Sequence, residues 1–110
     1  MIDWTEIKHF APEEFGDGID EMLVRQLDNA RGYAQVPFIL TSTVRPDAKK
    51  PEHRTGHAAD IRCHDSRSRF RILYGLVMAG FDRIGIYDRH VHAGISPDLD
   101  PEIVWLGESK

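Results

Sequence analysis

The sequence lacks several features that would place it in a membrane or in a disulfide-stabilised class. It contains a single cysteine, Cys63, which excludes an internal disulfide. No apolar run approaches the roughly 20 residues that a bilayer-spanning helix needs. The segment from Met1 to Trp4 shows neither the basic nor the apolar stretch of a conventional signal peptide. We therefore expect no membrane insertion and a protein that is cytoplasmic as made.

The composition is that of one ordinary globular domain. The 110 residues are 41% hydrophobic and 29% charged, so we predict a single domain over residues 1–110. The formal net charge of −4 hides a basic stretch from Arg45 to His90, with ten Lys or Arg against six Asp or Glu. This stretch lacks the regular aromatic residues of a nucleic-acid surface, so we expect no nucleic-acid partner.

Apolar periodicity and turn residues predict helix, strand, strand, helix, strand, strand along the chain. Residues 45–55 are polar with two prolines, which indicates a surface loop. The tail after Pro97 is expected to be irregular, with its apolar residues 103–106 able to pack back on the domain. An α+β domain follows, with a small antiparallel or mixed sheet covered by helices. The predicted elements are a helix over 20–32 that stops at Gly32, strands over 36–44 and 58–63, a helix over 65–79 with Phe70, Leu73 and Val77 on its apolar face, and strands over 83–87 and 90–95.

Histidine is abundant: the chain has six, and five of them lie between residues 53 and 92. A bend at Gly56 lets His53 fold back towards Asp60, at the start of a predicted strand. His90 and His92 are two residues apart, so on a strand their side chains leave the same face. Two imidazoles and one carboxylate form a set suited to Zn²⁺ with a fourth position for water, so we predict His53, Asp60 and His92 as metal ligands. The remaining histidines are interpreted as structural or surface residues: His9, His57 and His64.

These motifs resemble those of a known family. His53-x-x-Gly56-x-Ala58-x-Asp60 followed by His90-x-His92 looks like the zinc D-alanyl-D-alanine peptidases, whose fold is shared by hedgehog signalling domains. It is most similar to the small phage-type members that act as endolysins. The segments 8–15, 41–45 and 80–87 are also similar to stretches of these proteins. The resemblance implies a hedgehog/DD-peptidase-like zinc fold.

The resemblance also implies roles for three further residues. Arg45 would hold a substrate carboxylate or carbonyl oxygen with its planar set of donors. His90 would lie beside the metal and stabilise an oxyanion or transfer a proton. The family's acidic base stands three residues before the last ligand, where this chain has Arg89, so we expect Asp88 to take that role.

Together these features predict a zinc metallopeptidase that hydrolyses peptidoglycan peptides, of the D-alanyl-D-alanine peptidase or endolysin type. The alternative is a non-catalytic zinc-binding module of the same fold, with a structural or interaction role. The same donor types occur in Fe(II) oxygenases, but the ligand order and spacing fit those poorly. A cell-wall substrate would be reached after release from the producing cell, as in phage lysis; processing of wall precursors inside the cell is the other route. The bond cleaved and the oligomeric state stay open.

Overall fold

Helix α1 spans Glu21–Ala34 and is capped by Asp20, whose carboxylate accepts a hydrogen bond from the Leu23 N–H at 3.3 Å. The structure is a computed structural model, and it describes residues 2–107. The predicted stop at Gly32 is wrong, because the helix continues to Ala34, which is fully buried. Glycine inside a helix costs only about 1 kcal/mol, and the burial of Ala34 at the helix end offsets that cost.

The second long helix follows the sequence prediction closely. The structure contains it as α3, Ser66–Met78, after a short helix α2, Pro51–Thr55. The carboxylate of Asp65 caps α3 by accepting the Ser68 N–H at 2.8 Å, and Gly80 with φ +93° follows its end. Helix α2 corrects the prediction of an irregular loop over 45–55. Pro51 occupies its first turn, where the missing N–H costs nothing.

The apolar face predicted for α3 is wrong in its orientation. Leu73 packs against the core as predicted, but Phe70 and Val77 are each 63% exposed. Ile72 and Leu76 are buried in the core instead. The reason is the close packing of α3 on α1. The two helices approach each other most closely at Gly75, which is buried. The helix is thereby turned so that the face containing Ile72 and Leu76 meets the core.

The five strands form one mixed sheet, so the predicted α+β class is confirmed. The order is β1-β2-β4-β3-β5; the β1–β2, β2–β4 and β3–β4 pairs are antiparallel, and β3–β5 is parallel. The first strand is shorter than predicted, and the tail contains a strand where irregular structure was expected. The strands are β1, Leu40–Ser42; β2, Ala58–Arg62; β3, Arg83–Ile86; β4, His90–Gly94; and β5, Ile103–Leu106.

The two faces of the sheet have different roles, because side chains alternate along a strand. One face packs in the core with α1 and α3, through residues such as Ile61 and Val91. The opposite face carries Asp60 of β2 and His92 of β4, which are direct cross-strand partners. Helix α2 contacts β2 and brings His53 to this second face. Among residues 2–107, no helix has the length and apolar character to cross a membrane.

Candidate metal centre

His53 is positioned by a tight bend and by one backbone carbonyl. Gly56, at the end of α2, has φ +81°, and a Cβ there would overlap the carbonyl oxygen of Gly18, so only glycine fits. The imidazole is fully buried, and its Nδ1 donates to the Thr43 carbonyl oxygen at 2.7 Å. A carbonyl oxygen only accepts, so the proton lies on Nδ1. The other ring nitrogen, Nε2, faces Asp60 Oδ1 at 3.2 Å.

Asp60 and His92 meet through the register of β2 and β4. His92 Nδ1 lies 3.3 Å from Asp60 Oδ1, the same oxygen that faces His53. Two donors bound to one zinc ion at about 2.0 Å in tetrahedral geometry stand about 3.3 Å apart. Both observed separations match that spacing. The candidate ligand atoms of His53, Asp60 and His92 all lie within 4.8 Å of one another.

The buried His92 ring has one nitrogen in hydrogen-bond contact and one that makes no hydrogen bond. Its Nε2 lies 2.9 Å from Glu52 Oε1, a carboxylate that is 2% exposed. Its Nδ1 is buried and makes no hydrogen bond within the described part of the chain. A buried polar atom without a partner is costly, and a metal ion bound at Nδ1 would satisfy it. The residues present therefore fit a metal ion.

The charges of this cluster are strongly coupled. Burial alone would raise the pKa of Asp60, but His53 and His92 outweigh it and hold that pKa far below its usual value. Burial would likewise raise the pKa of Glu52, yet His92 and Arg83 lower it. For His92 burial lowers the pKa, but the carboxylates of Asp60 and Glu52 raise it above the usual value of about 6.5. These carboxylates therefore favour the protonated form of His92 when no metal is bound.

The structure thus brings together all three residues predicted as metal ligands. His53, Asp60 and His92 come from α2, β2 and β4, and both imidazoles are buried. This group can hold a metal ion. The identity of that ion is part of the proposal below.

A cavity of about 450 Å³ opens beside the group. Arg45, the residue expected to hold substrate, lies in its wall, and its backbone N–H donates to the His53 carbonyl oxygen at 2.9 Å. Three of the lining residues are Lys or Arg and two are Asp, so the lining carries a small excess of positive charge. The lining residues are Arg45, Asp47, Ala48, Lys49, Lys50, His53, Asp60, Tyr87 and His90.

His90 lies in this cavity, next to the predicted ligands but not among them. Its Nε2 is 3.8 Å from Asp60 Oδ2, the oxygen that faces away from the other two histidines. Burial lowers the pKa of His90, and attraction to Asp60 offsets this only in part. At neutral pH the ring is therefore uncharged and able to accept a proton.

Asp88, the expected base, is placed differently. It is exposed in the turn between β3 and β4, where its backbone carbonyl accepts a hydrogen bond from Arg69 Nη2 at 2.8 Å. The described residues that line the cavity do not include Asp88. Its catalytic role stays a prediction.

The structure adds residues that the sequence did not single out for this site. Glu52 contacts His92, and Trp105 lies against the other side of the same ring, with centroids 5.2 Å apart. Tyr87 stacks on His90 and accepts a hydrogen bond from Trp105 Nε1. The only sign of Glu52 in the sequence was its position directly before His53, the first residue of the metal motif. Trp105 had none, because its position depends on the pairing of β5 with β3.

The remaining histidines lie outside the metal-binding group. His57 Nδ1 is 2.7 Å from the Thr55 hydroxyl, and His64 accepts a hydrogen bond from Arg62. The backbone N–H of His9 donates to Asp28. Among the described residues, the group of potential ligands contains none of these three histidines.

Comparisons with protein-family models, with curated proteins and with solved structures find no match to this chain. The resemblance to the zinc D-alanyl-D-alanine peptidases and hedgehog domains therefore stays a prediction from the sequence motifs. The geometry described above shows a small α+β fold whose open sheet face carries a group of residues able to hold a metal ion.

Proposed function

We propose that this protein is a zinc-dependent peptidase that hydrolyses peptidoglycan peptides. One observation carries the proposal. The nitrogens of His53 and His92 stand 3.2 and 3.3 Å from the same carboxylate oxygen of Asp60, at the edge of a cavity whose lining includes one arginine and two lysines. Three protein ligands beside an open cavity are typical of catalytic zinc, whereas structural zinc sites are usually closed by four.

Four of the residues that line the cavity have a role in this proposal. A zinc ion in such a site supplies Lewis acidity and a water of lowered pKa. Arg45 binds a carboxylate or carbonyl oxygen of the peptide through its guanidinium. His90 accepts a proton at Nε2 from the attacking water and returns it to the departing amine. The lysines at the rim, Lys49 and Lys50, favour a substrate with negative charge.

The test is zinc content and hydrolysis in one preparation. We expect about one zinc ion for each purified chain, and cleavage of a peptidoglycan stem peptide or cross-link detected by mass spectrometry. His92→Ala should abolish both zinc binding and cleavage. The matched control is His64→Ala, which removes an exposed imidazole remote from the three ligands and should leave both unchanged. Undiminished hydrolysis by His92→Ala would contradict the proposed metal site.

The second candidate is a zinc-binding module without hydrolytic activity. Asp88, the expected base, is exposed and does not line the cavity. This position favours the module without hydrolytic activity. The same preparation separates the two functions. Stoichiometric zinc with no cleavage of any stem peptide or cross-link supports the module, whereas cleavage that depends on His92 supports the peptidase.

A further inference from the structure

Glu52 is a buried carboxylate whose hydrogen bonds come from three different parts of the fold. Its Oε2 accepts from Arg83 Nε at 2.9 Å and from the Ser96 backbone N–H at 3.2 Å. Its Oε1 lies 2.9 Å from His92 Nε2. Both oxygens are thus engaged, and the side chain that carries them is 3% exposed. A buried carboxylate held in this way is fixed in both position and orientation.

The strand beside it leaves room for this carboxylate. Gly94, two residues after His92 on the same face of β4, lies directly against Glu52. A Cβ at Gly94 would overlap both carboxylate oxygens. Helix α2 can therefore place a carboxylate behind His92 because β4 has no side chain at that position.

The contact determines which nitrogen of His92 carries the proton. Oε2 already accepts two donors, from Arg83 and Ser96, so the carboxylate acts as an acceptor in this network. Its other oxygen then accepts the proton of His92 Nε2. In a neutral imidazole the second nitrogen must hold the lone pair, and here that nitrogen is Nδ1, which faces Asp60.

We propose that Glu52 is the positioning residue of the metal centre: it holds His92 in the Nε2-protonated form, so that Nδ1 is presented to the metal ion. This inference rests on the metal site of the proposed function, but it does not depend on hydrolysis. Partners of this kind behind a metal-binding histidine typically change metal affinity by about 10–100-fold.

Two variants test the proposal in different ways. Glu52→Gln keeps the shape but presents an amide, whose NH₂ must face either His92 or the two donors at Oε2. Gly94→Ala keeps the carboxylate but forces it away from His92. We expect each variant to bind zinc about 10–100-fold more weakly, measured by competition with a chromophoric chelator. Glu13→Gln, at an exposed position, is the matched control and should bind zinc like the wild type.

A spectroscopic measurement separates positioning from a merely structural role. Long-range ¹H–¹⁵N spectra report which nitrogen of a histidine ring carries the proton. In the zinc-loaded wild type we expect His92 to be protonated at Nε2 and bound to zinc through Nδ1. In Glu52→Gln the ¹⁵N shifts of His92 and the absorption spectrum of the Co²⁺-substituted protein should change, while those of the control should not.

The outcomes distinguish this proposal from the proposed function. A folded Glu52→Gln with wild-type zinc affinity and unchanged His92 shifts would overturn the role of Glu52. If the variants fail to fold, the wild-type spectrum decides, because zinc bound at Nε2 would overturn the proposal. Zinc binding by the wild type without peptide hydrolysis removes only the peptidase function. A wild type that binds no zinc overturns both.

Discussion

The ring of Tyr87 stacks on the imidazole of His90, with centroids 4.3 Å apart and planes inclined by 11°. The Tyr87 hydroxyl in turn accepts a hydrogen bond from Trp105 Nε1 at 3.0 Å. Because Trp105 also contacts the His92 ring, these aromatic residues connect the imidazole in the cavity to the metal-binding group. The stack fixes the plane of His90 and leaves its Nε2 on the side of Asp60.

This geometry predicts separate effects on catalysis and on metal binding. If His90 transfers the proton, His90→Gln should lower kcat by about 100-fold or more while the zinc content stays unchanged. Tyr87→Leu, which removes the stack, should lower kcat by a smaller factor, whereas Tyr87→Phe keeps the ring and should retain most activity. Steady-state kinetics and zinc analysis of each variant provide the measurement. Wild-type kcat in His90→Gln would exclude the assigned role.

The coupled charges of the metal centre predict how the stability of the metal-free protein depends on pH. The pKa values of Asp60 and Glu52 are lowered by their neighbours, although burial acts in the opposite direction. Both carboxylates therefore stabilise the fold at pH values above their usual pKa values near 4. That stability is lost as the pH falls through the lowered values. The raised pKa of His92 stabilises the fold below about 6.5, and this contribution is lost as the pH rises through the raised value.

Without metal we therefore expect the free energy of unfolding to be largest between about pH 4.5 and 6.5. Zinc must displace the proton of His92, so its stabilising effect should grow from pH 5 to pH 8. Zinc at 100 times its dissociation constant should add about 2.7 kcal/mol. Urea titrations with chelator and with zinc test both trends. A zinc effect that is independent of pH would argue against displacement of a proton from His92.

Local signals in the sequence predicted much of this fold. Helix α3 is bounded by a cap at Asp65 and by Gly80, both of which are visible in the sequence. The three ligands followed from the bend at Gly56 and from the alternation of His90 and His92, which are also local features. The bend fixes the approach of His53 to Asp60 within a few residues, whereas the meeting of Asp60 with His92 also requires the pairing of β2 with β4.

Distant contacts explain what the sequence did not predict. Strand β5 exists because it pairs in parallel with β3, and its four residues carry too little pattern to show this alone. The burial of Glu52, a residue of α2, depends on the missing side chain of Gly94 on strand β4. The orientation of α3 depends on the close approach of Gly75 to α1. None of these relations can be inferred from neighbouring residues in the chain.

The close approach of α3 to α1 at Gly75 can be tested by substitution. A Cβ at Gly75 would overlap the carbonyl oxygen of Ala30 and lie 2.8 Å from the Ala34 Cβ. Gly75→Ala should therefore destabilise the fold, since overpacking a close-packed interface costs about 1–3 kcal/mol and exceeds the gain in helix propensity of about 1 kcal/mol. Differential scanning calorimetry should show a lower Tm.

Gly32, in the exposed part of α1, is the matched control. The nearest atom to a Cβ there is His9 Nε2 at 3.8 Å, so alanine fits without displacement. Gly32→Ala should stabilise the protein by up to about 1 kcal/mol, which corresponds to a rise of about 4 °C in Tm. Opposite signs for the two Gly→Ala changes would show that helix packing, and not helix propensity, requires glycine at position 75. A Gly75→Ala variant as stable as Gly32→Ala would contradict the close approach of the two helices.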